Sequence, residues 1–452
     1  MAYKLNVIMW CDGLMRSGSV RELLVRGFGD FRSVLRGNVG VMALSWFLFS
    51  LSGALVQPFF TLYAKNLGAD DFSIALVRSA GLLTLSIALI PGGLLTDYVG
   101  RVKMIVVGTA GITIVQFLYA LANNWRFLAL VWILDEALHF YQPALSAIVM
   151  DSLPKDKTLK GFIALQAFPN LPWLFMPLVG GYLYDAYGLA GIRAGFILSG
   201  IISAAVTILR IKGFEETYSY RRNSSNVRSL AYNLVKNRGK VFNALRVYVY
   251  TAMLLPIATG VSSTYGSIYV VNWLGISKVE LGGITSLSIA SSIILSLILA
   301  NLKNVDKHLL KLGLIGSLSI TLSQAALGVA GGAGVNPIIL AATAFVLSQA
   351  GSTLTGPVIS ATLTKITPIE IRGTMTGIQR TLETLGGSLG SIIAGMLYVV
   401  LGPSNSLLIH NDLNHPHHLI HAMSTYRRAF NAYRKVFLVG VQLCLERKLS
   451  SQ

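Results

Sequence analysis

Apolar positions in this chain fall in long, nearly uncharged runs separated by short polar segments. Runs of 18 residues or more lie at 40–64, 73–96, 102–122, 126–149, 161–184 and 192–212. A hydrophilic connector covers 213–241, and a second set of runs lies at 242–270, 279–301, 309–330, 337–360 and 374–401. A helix needs roughly 20 residues to cross the hydrocarbon of a bilayer, so the pattern predicts eleven spanning helices, spans 1 to 11 in chain order. The implied organisation is an N-terminal segment (1–38), a six-span half (39–212), the connector (213–241), a five-span half (242–402) and a polar tail (403–452).

Composition narrows the class further. Hydrophobic residues make up 53% of the 452 and charged residues only 12%, about half the charge of an ordinary soluble protein. This excludes a soluble globular enzyme and a disordered chain. Two cysteines, Cys11 and Cys444, cannot build a disulfide framework. The formal net charge of +18 is explained by its placement. With the N-terminus inside, 25 Lys and Arg fall in the inner segments and 4 in the outer ones, the asymmetry that orients membrane proteins. The basicity therefore reads as topology, with a cytoplasmic N-terminus and no nucleic-acid partner. The apolar run Val7–Trp10 is too short for a signal peptide, so span 1 is expected to act as an uncleaved insertion signal in the cell membrane.

One offset, 214 residues, aligns part of the second half on the first. Pro143 falls on Pro357, Ser146 on Ser360, Ala147 on Ala361, Pro154 on Pro368, Gly181 on Gly395 and Tyr184 on Tyr398, with Leu183 on Leu397 and Gly188 on Gly402. A weaker echo sets Tyr63, Leu67 and Gly68 against Tyr269, Leu274 and Gly275. Duplicated bundles of this sort build secondary transporters with a midplane site between the halves.

Between spans 2 and 3 the chain reads GLLTDYVGRVK, with Gly93, Asp97, Gly100, Arg101 and Lys103. This resembles the signature loop of the major facilitator superfamily, G-x-x-x-D-x-x-G-R with a basic residue close after; Lys103 stands one place late, and Val102 occupies the usual basic slot. The resemblance covers residues 40 to about 402, helped by Met150–Pro154 at the exit of span 4, Glu215 to Thr217 at the close of span 6, and Arg372 with Gly373 before span 11. It implies an all-helical integral membrane fold of two six-helix bundles related by a pseudo-two-fold axis, and a carrier, not an enzyme, for a small solute. It also implies that Asp97 meets the start of span 11 and acts in a conformational switch. The loop itself is expected to turn back over about four residues. In span 5 the stretch PLVGG, with Pro177, Gly180 and Gly181, is similar to the family's antiporter signature, although Pro172 and Met176 replace two of its glycines; export is favoured over uptake. Small residues there also let helices pack closely.

Ionisable groups inside a bilayer are costly and default to functional candidates. Asp135, Glu136, His139 and Gln142 lie in span 4, where three- and four-residue spacings put either carboxylate on one face with His139. These are candidates for proton uptake and release, with His139 as relay; a satisfied structural pair is the competing reading. Asn170 in span 5, and Arg380 and Glu383 in span 11 beside Gln379, complete the substrate and proton candidates. The Arg380–Glu383 spacing favours a structural pair over a substrate clamp. Arg78 reads as a long side chain reaching the outer interface. Weaker cavity-lining candidates are Gln57, Pro58, Trp173, Tyr248, Tyr250 and Tyr265.

Other classes fare poorly. The stretch GGSLG around Ser388 fits a nucleophile pattern but lies in a Gly-rich apolar helix, where packing is the simpler account. Neither a nucleotide loop nor metal-ligand spacing occurs, so no cofactor or metal is expected, and the partners are a small solute, protons and the lipid around a monomer. A channel or receptor on the same scaffold is the remaining alternative. After Gly402 the family's twelfth span is missing or degenerate. Val436 to Leu445 is too short to cross, and the tail carries His415, His417, His418 and His421. An altered reading frame, or a degenerate interfacial tail, accounts for it.

Overall fold

The computed structural model describes residues 37–152, 168–217, 253, 255–301, 309–331, 334–366 and 372–406. Among the described residues, part of each of the eleven runs is helical. Spans 2, 3 and 6 are the continuous helices Asp71–Val99, Arg101–Ala120 and Leu189–Gly213. Spans 8 to 11 are Lys278–Asn301, Leu309–Val329, Pro337–Ile366 and Arg372–Ser406. Among the described residues eight helices are long and apolar enough to cross a membrane. Spans 4, 5 and 7 are not among these eight.

The breaks in spans 1, 4 and 5 each hold or adjoin a proline. Span 4 runs Trp125–Leu138, tightens to a 3₁₀ turn at His139–Tyr141 and resumes as Gln142–Ser152; Pro143 has no N–H to give the His139 carbonyl. Span 5 passes from a 3₁₀ stretch Phe168–Leu174, which holds Pro172, into Met176–Tyr187. Span 7 is assembled from Leu255–Ala258, Gly260–Ile268 and a π-helical turn Tyr269–Trp273. Span 1 also tightens at Gln57–Phe59, around Pro58, between Gly37–Val56 and Phe60–Asn66. At the entry to span 2 the Asp70 carboxylate accepts from Ser73 N at 2.7 Å. That bond holds its carboxyl below the ordinary carboxylate range.

The repeat has a structural counterpart. Gly188 (φ +56°) and Gly402 (φ +77°) are both left-handed, as are Gly68 (φ +88°) and Gly275 (φ +70°), a conformation that penalises any Cβ. Tyr184 and Tyr398 are both buried. Gly181 of span 5 abuts the start of span 8, and Gly395 of span 11 abuts Ala75 of span 2. The two halves thus meet along paired seams, span 5 on span 8 and span 11 on span 2.

Contact at the first seam is backbone to backbone. A Cβ on Gly181 would lie 2.2 Å from the Lys278 carbonyl oxygen, and one on Gly282 would lie 2.2 Å from that of Pro177. On the other side of span 5, a Cβ on Gly180 would meet the Leu55 carbonyl at 2.0 Å. At Gly283 the nearest neighbour is only the tip of Leu178, at 3.3 Å. Overpacking a close crossing costs about 1–3 kcal/mol. Gly282→Ala should therefore lower the midpoint of thermal unfolding in detergent clearly, and Gly283→Ala hardly at all; equal effects in a fluorescence size-exclusion melt would contradict this description of the seam.

Candidate functional site

The face at which span 1 begins, the basic face, is tied together by the signature loop. Span 2 stays helical to Val99, and the reversal is made by one residue, Gly100 (φ +98°), before span 3 starts at Arg101. The expected four-residue turn is thus tighter than anticipated, because a glycine in this conformation changes the chain direction alone. Arg101 pairs with Asp151 at the end of span 4 and donates to Thr217 Oγ1 at 3.0 Å. Glu216 accepts from Val102 N at 3.0 Å. Asn38 bonds the Glu215 backbone in both directions, at 2.8 and 2.9 Å, and reaches Ser152 Oγ at 3.1 Å. Lys103 is exposed. Gly93 packs beside Pro143. Asp97 lies in the last turns of span 2, and its side chain, with any contact to span 11, is outside the described residues.

At the opposite face the halves are latched. Asp185, at the end of span 5, accepts from Val279 N at 2.8 Å and from Lys278 Nζ at 3.0 Å. It therefore neutralises both the start of span 8 and its first side chain. Lys278 also lies over the Tyr184 ring, 4.9 Å from its centroid. On the second seam Tyr265 donates to the Asp71 carbonyl and stacks on Tyr398 with centroids 4.0 Å apart. Deeper in, Ser79 and Ser388 hydroxyls lie 2.8 Å apart, and Ser86 and Thr384 2.6 Å. Beyond Ser86, span 2 turns Ile87, Ile90 and Leu95 outward.

Span 4 carries the buried charge. Asp135 and Glu136 are 7% and 9% exposed. The Tyr119 hydroxyl of span 3 donates to Asp135 Oδ2 at 2.9 Å, so Asp135 faces the interior of its own half. His139 Nδ1 lies 2.8 Å from the Asp135 carbonyl oxygen, 3.7 Å from its Oδ1 and 4.0 Å from Glu136 Oε2. The predicted grouping of the two acids with His139 is therefore present. Gln142 is exposed and stands outside it, as does Asn170, exposed in the 3₁₀ stretch of span 5. Arg78 is partly exposed, and its Nε is buried without a hydrogen-bond partner among the described residues.

Other candidates resolve into packing. Gln379 Nε2 donates to Glu383 Oε1 at 2.8 Å and Arg380 Nη1 to Glu383 Oε2 at 3.4 Å, an exposed pair along span 11. Ser388 sits inside a continuous helix, bonded to Ser79 across the seam, in the setting of a packing residue and not of an elbow. Tyr265 closes a seam instead of lining a cavity, and Gln57 is exposed at the break of span 1. Tyr248 and Tyr250 lie outside the described residues.

The sequence reading missed Arg210. Counted among the inner basic residues, it is fully buried. Its guanidinium lies 5.0 Å from the Phe49 ring centre and 5.8 Å from that of Tyr141, and Nη1 donates to Thr109 Oγ1 at 2.7 Å. The signal was the stripe Ser199, Ser203, Val206 and Arg210, which repeats at helical spacing and is buried throughout. Tyr119 and the pair of Asp185 with Lys278 were missed because nothing in one sequence sets residues of different spans side by side.

A profile described as Major Facilitator Superfamily matches residues 42–391. The chain belongs to the major facilitator superfamily. Within the superfamily it is 30% identical over 241 residues to "Multidrug resistance protein MdtG" of Yersinia enterocolitica, covering 52% of this chain and 56% of that one. The chain thus spans about half the length of the curated relatives of that name. It is 22% identical over 381 residues to an uncharacterized MFS-type transporter of Methanocaldococcus jannaschii, covering 82% of this chain and 94% of the relative. Among solved structures, a mutant of the nucleoside transporter NupG superposes with a TM-score of 0.67 at 14% identity, covering 88% of this chain and 99% of that one. A D-xylose-proton symporter gives 0.63 at 16%, covering 82% and 94%. These place the chain in the superfamily's all-helical, multi-pass membrane fold.

Burying a guanidinium without a carboxylate costs more than an apolar group of similar volume would. Nε and Nη2 of Arg210 have no hydrogen-bond partner among the described residues. Arg210→Met should accordingly match or exceed the parent in thermal stability. Arg210→Lys, which loses the planar stacking surface, should fall below it; the reverse order in a detergent melt would assign Arg210 a stabilising charge role.

Proposed function

We propose that this chain is a secondary transporter that moves a small solute across the cytoplasmic membrane by alternating access, driven by protons and in the direction of export. The observation that carries the reading is the two-seam contact between the halves. It starts at the opposite face, with Asp185 on the head of span 8, and reaches the middle of span 2 at Ser86. Two bodies that meet along such seams can rock about them. Among the described residues, the basic-face bonds of Arg101, Asn38 and Glu216 join the N-terminal half to the residues that flank it.

The charge asymmetry is read as putting the basic face in the cytoplasm, which makes the latched face the outer one. Proton coupling is supported by the acids of span 4, buried beside a histidine that is partly exposed. Export is supported by the name of the multidrug-resistance relatives and by PLVGG in span 5, and the transporting unit is read as a monomer. The operating cycle places Asp185 as the outer latch. Purified protein in proteoliposomes should exchange ethidium across the membrane, and an imposed proton gradient should drive net movement that an uncoupler abolishes. Uptake in place of export would reverse the sign of that movement, and a channel would show no counterflow.

The latch has its own test. A carboxylate at a helix start contributes about 0.3–1 kcal/mol, more when partly buried, and loss of 1–2 kcal/mol shifts a two-state population by roughly 5–30-fold. Asp185→Ala should raise the rate at which Ser79→Cys is labelled by an impermeant maleimide added outside, by about that factor. An unchanged rate would remove Asp185 from the gate.

A further inference from the structure

Spans 2 and 11 meet in a regular antiparallel register. Gly395 abuts Ala75, the Ser388 and Ser79 hydroxyls lie 2.8 Å apart, Gly387 lies against Leu82, and the Thr384 and Ser86 hydroxyls are 2.6 Å apart. The next pair in this register, toward the basic face, is Arg380 with Ile90. Ile90 is 60% exposed and the Arg380 side chain 73% exposed. Among the described residues the contact thus ends at Ser86 and Thr384, and Arg380 stands one turn below it.

Arg380 points between the halves and not toward lipid. At helical spacing it shares a face with Thr384, Gly387 and Ser391, which meet Ser86, Leu82 and Thr264. The opposite face of the helix carries Leu389, Ile393, Met396 and Val400, exposed apolar groups suited to acyl chains. Arg380 lies about 12 Å along the axis from the helix start at Arg372. A guanidinium so exposed at that depth belongs in a water-filled space. The acids of span 4, by contrast, are buried in the N-terminal half.

Glu383 is held mainly by another group. Its Oε1 accepts from Gln379 Nε2 at 2.8 Å, while its Oε2 meets Arg380 through a single nitrogen at 3.4 Å. A guanidinium has five N–H donors in a fork that fits planar oxyanions bidentately, and this contact uses one nitrogen. An exposed pair at this spacing adds little to a helix. Both charges are therefore compensated at rest and easily separated.

We propose that Arg380 and Glu383 select the solute: the pair parts, so that Arg380 takes an anionic group (carboxylate, sulfonate or phosphonate) or Glu383 takes an organic cation, with the solute's apolar body against Ile90. The proposal rests on the transport reading above and names the solutes of that carrier as amphiphilic ions of either sign.

Two probes of permanent and opposite charge, ethidium and naphthalenesulfonate, test it on the full chain in lipid nanodiscs. Binding is measured by equilibrium dialysis against empty nanodiscs. The parent is expected to bind both. Arg380→Gln should weaken binding of the sulfonate about tenfold and leave ethidium unchanged or tighter, and Glu383→Gln should do the reverse. Equal loss of both probes in each variant would make the pair structural. No change in either variant, or a parent that binds one sign alone, would also overturn the selection. The double variant Arg380→Gln, Glu383→Gln should melt like the parent and bind both probes weakly; tight binding of either by the folded double variant counts against the pair. Crossed binding without exchange of either probe in proteoliposomes would end the transport reading and leave the pair's role standing. Exchange of both probes, unaltered by either substitution, would do the opposite.

Discussion

Helices in a bilayer gain no hydrophobic free energy from pressing against one another, since lipid tails are as apolar as their side chains. Close approach of backbones has to do that work, and here it occurs where the two halves meet. Gly181 and Gly282 let spans 5 and 8 cross with no side chain between them, and Gly180 brings span 1 against the other side of span 5. The position of every other group follows from this crossing. It sets Asp185 on the second amide of span 8, that of Val279.

The N-terminal half has a different interior. Glycines of spans 2 and 3 make room for the break in span 4: a Cβ on Gly92 would meet the Phe140 carbonyl at 1.9 Å, one on Gly108 the Tyr141 ring, and one on Gly111 the Leu138 side chain. The loss of regular hydrogen bonding before Pro143 is therefore held from two sides. Just before that break stand the two acids, His139 opens it, and Tyr141 within it meets Arg210. A rigid basic-face lattice around Gly100 and a cluster of ionisable groups share one irregular helix, so a change of charge in the cluster acts on the element least able to absorb it without bending.

Much of the architecture was legible in the sequence because the bilayer imposes it. A run such as 192–212 has no stable alternative to a helix, and its observed bounds, Leu189–Gly213, differ by a few residues. The matched prolines at offset 214 carried the repeat, and left-handed backbone at Gly188 and Gly402, which excludes most substitutes, is its structural counterpart. The site was legible only by type. Asp135, Glu136 and His139 announce themselves as charges in an apolar run, and helical spacing groups them. Which carboxylate meets Tyr119 depends on the rotation of spans 3 and 4 about their axes, and a nearly uniform apolar helix does not encode that rotation. Arg210 misled for the same reason: three residues from a helix end, a buried cation and a surface cation look alike.

The hydroxyl contacts between spans 2 and 11 bear on how easily the halves part. Ser86 donates to Leu82 O at 2.8 Å within its own helix, and Thr384 bonds the Arg380 and Thr381 carbonyls at 3.1 and 3.0 Å. Each hydroxyl of that pair thus keeps a home acceptor whether or not its partner is present. Separation strands no donor and exposes no net charge. A seam made this way works like a reversible adhesive, firm enough to define a closed state and weak enough that thermal motion can peel it.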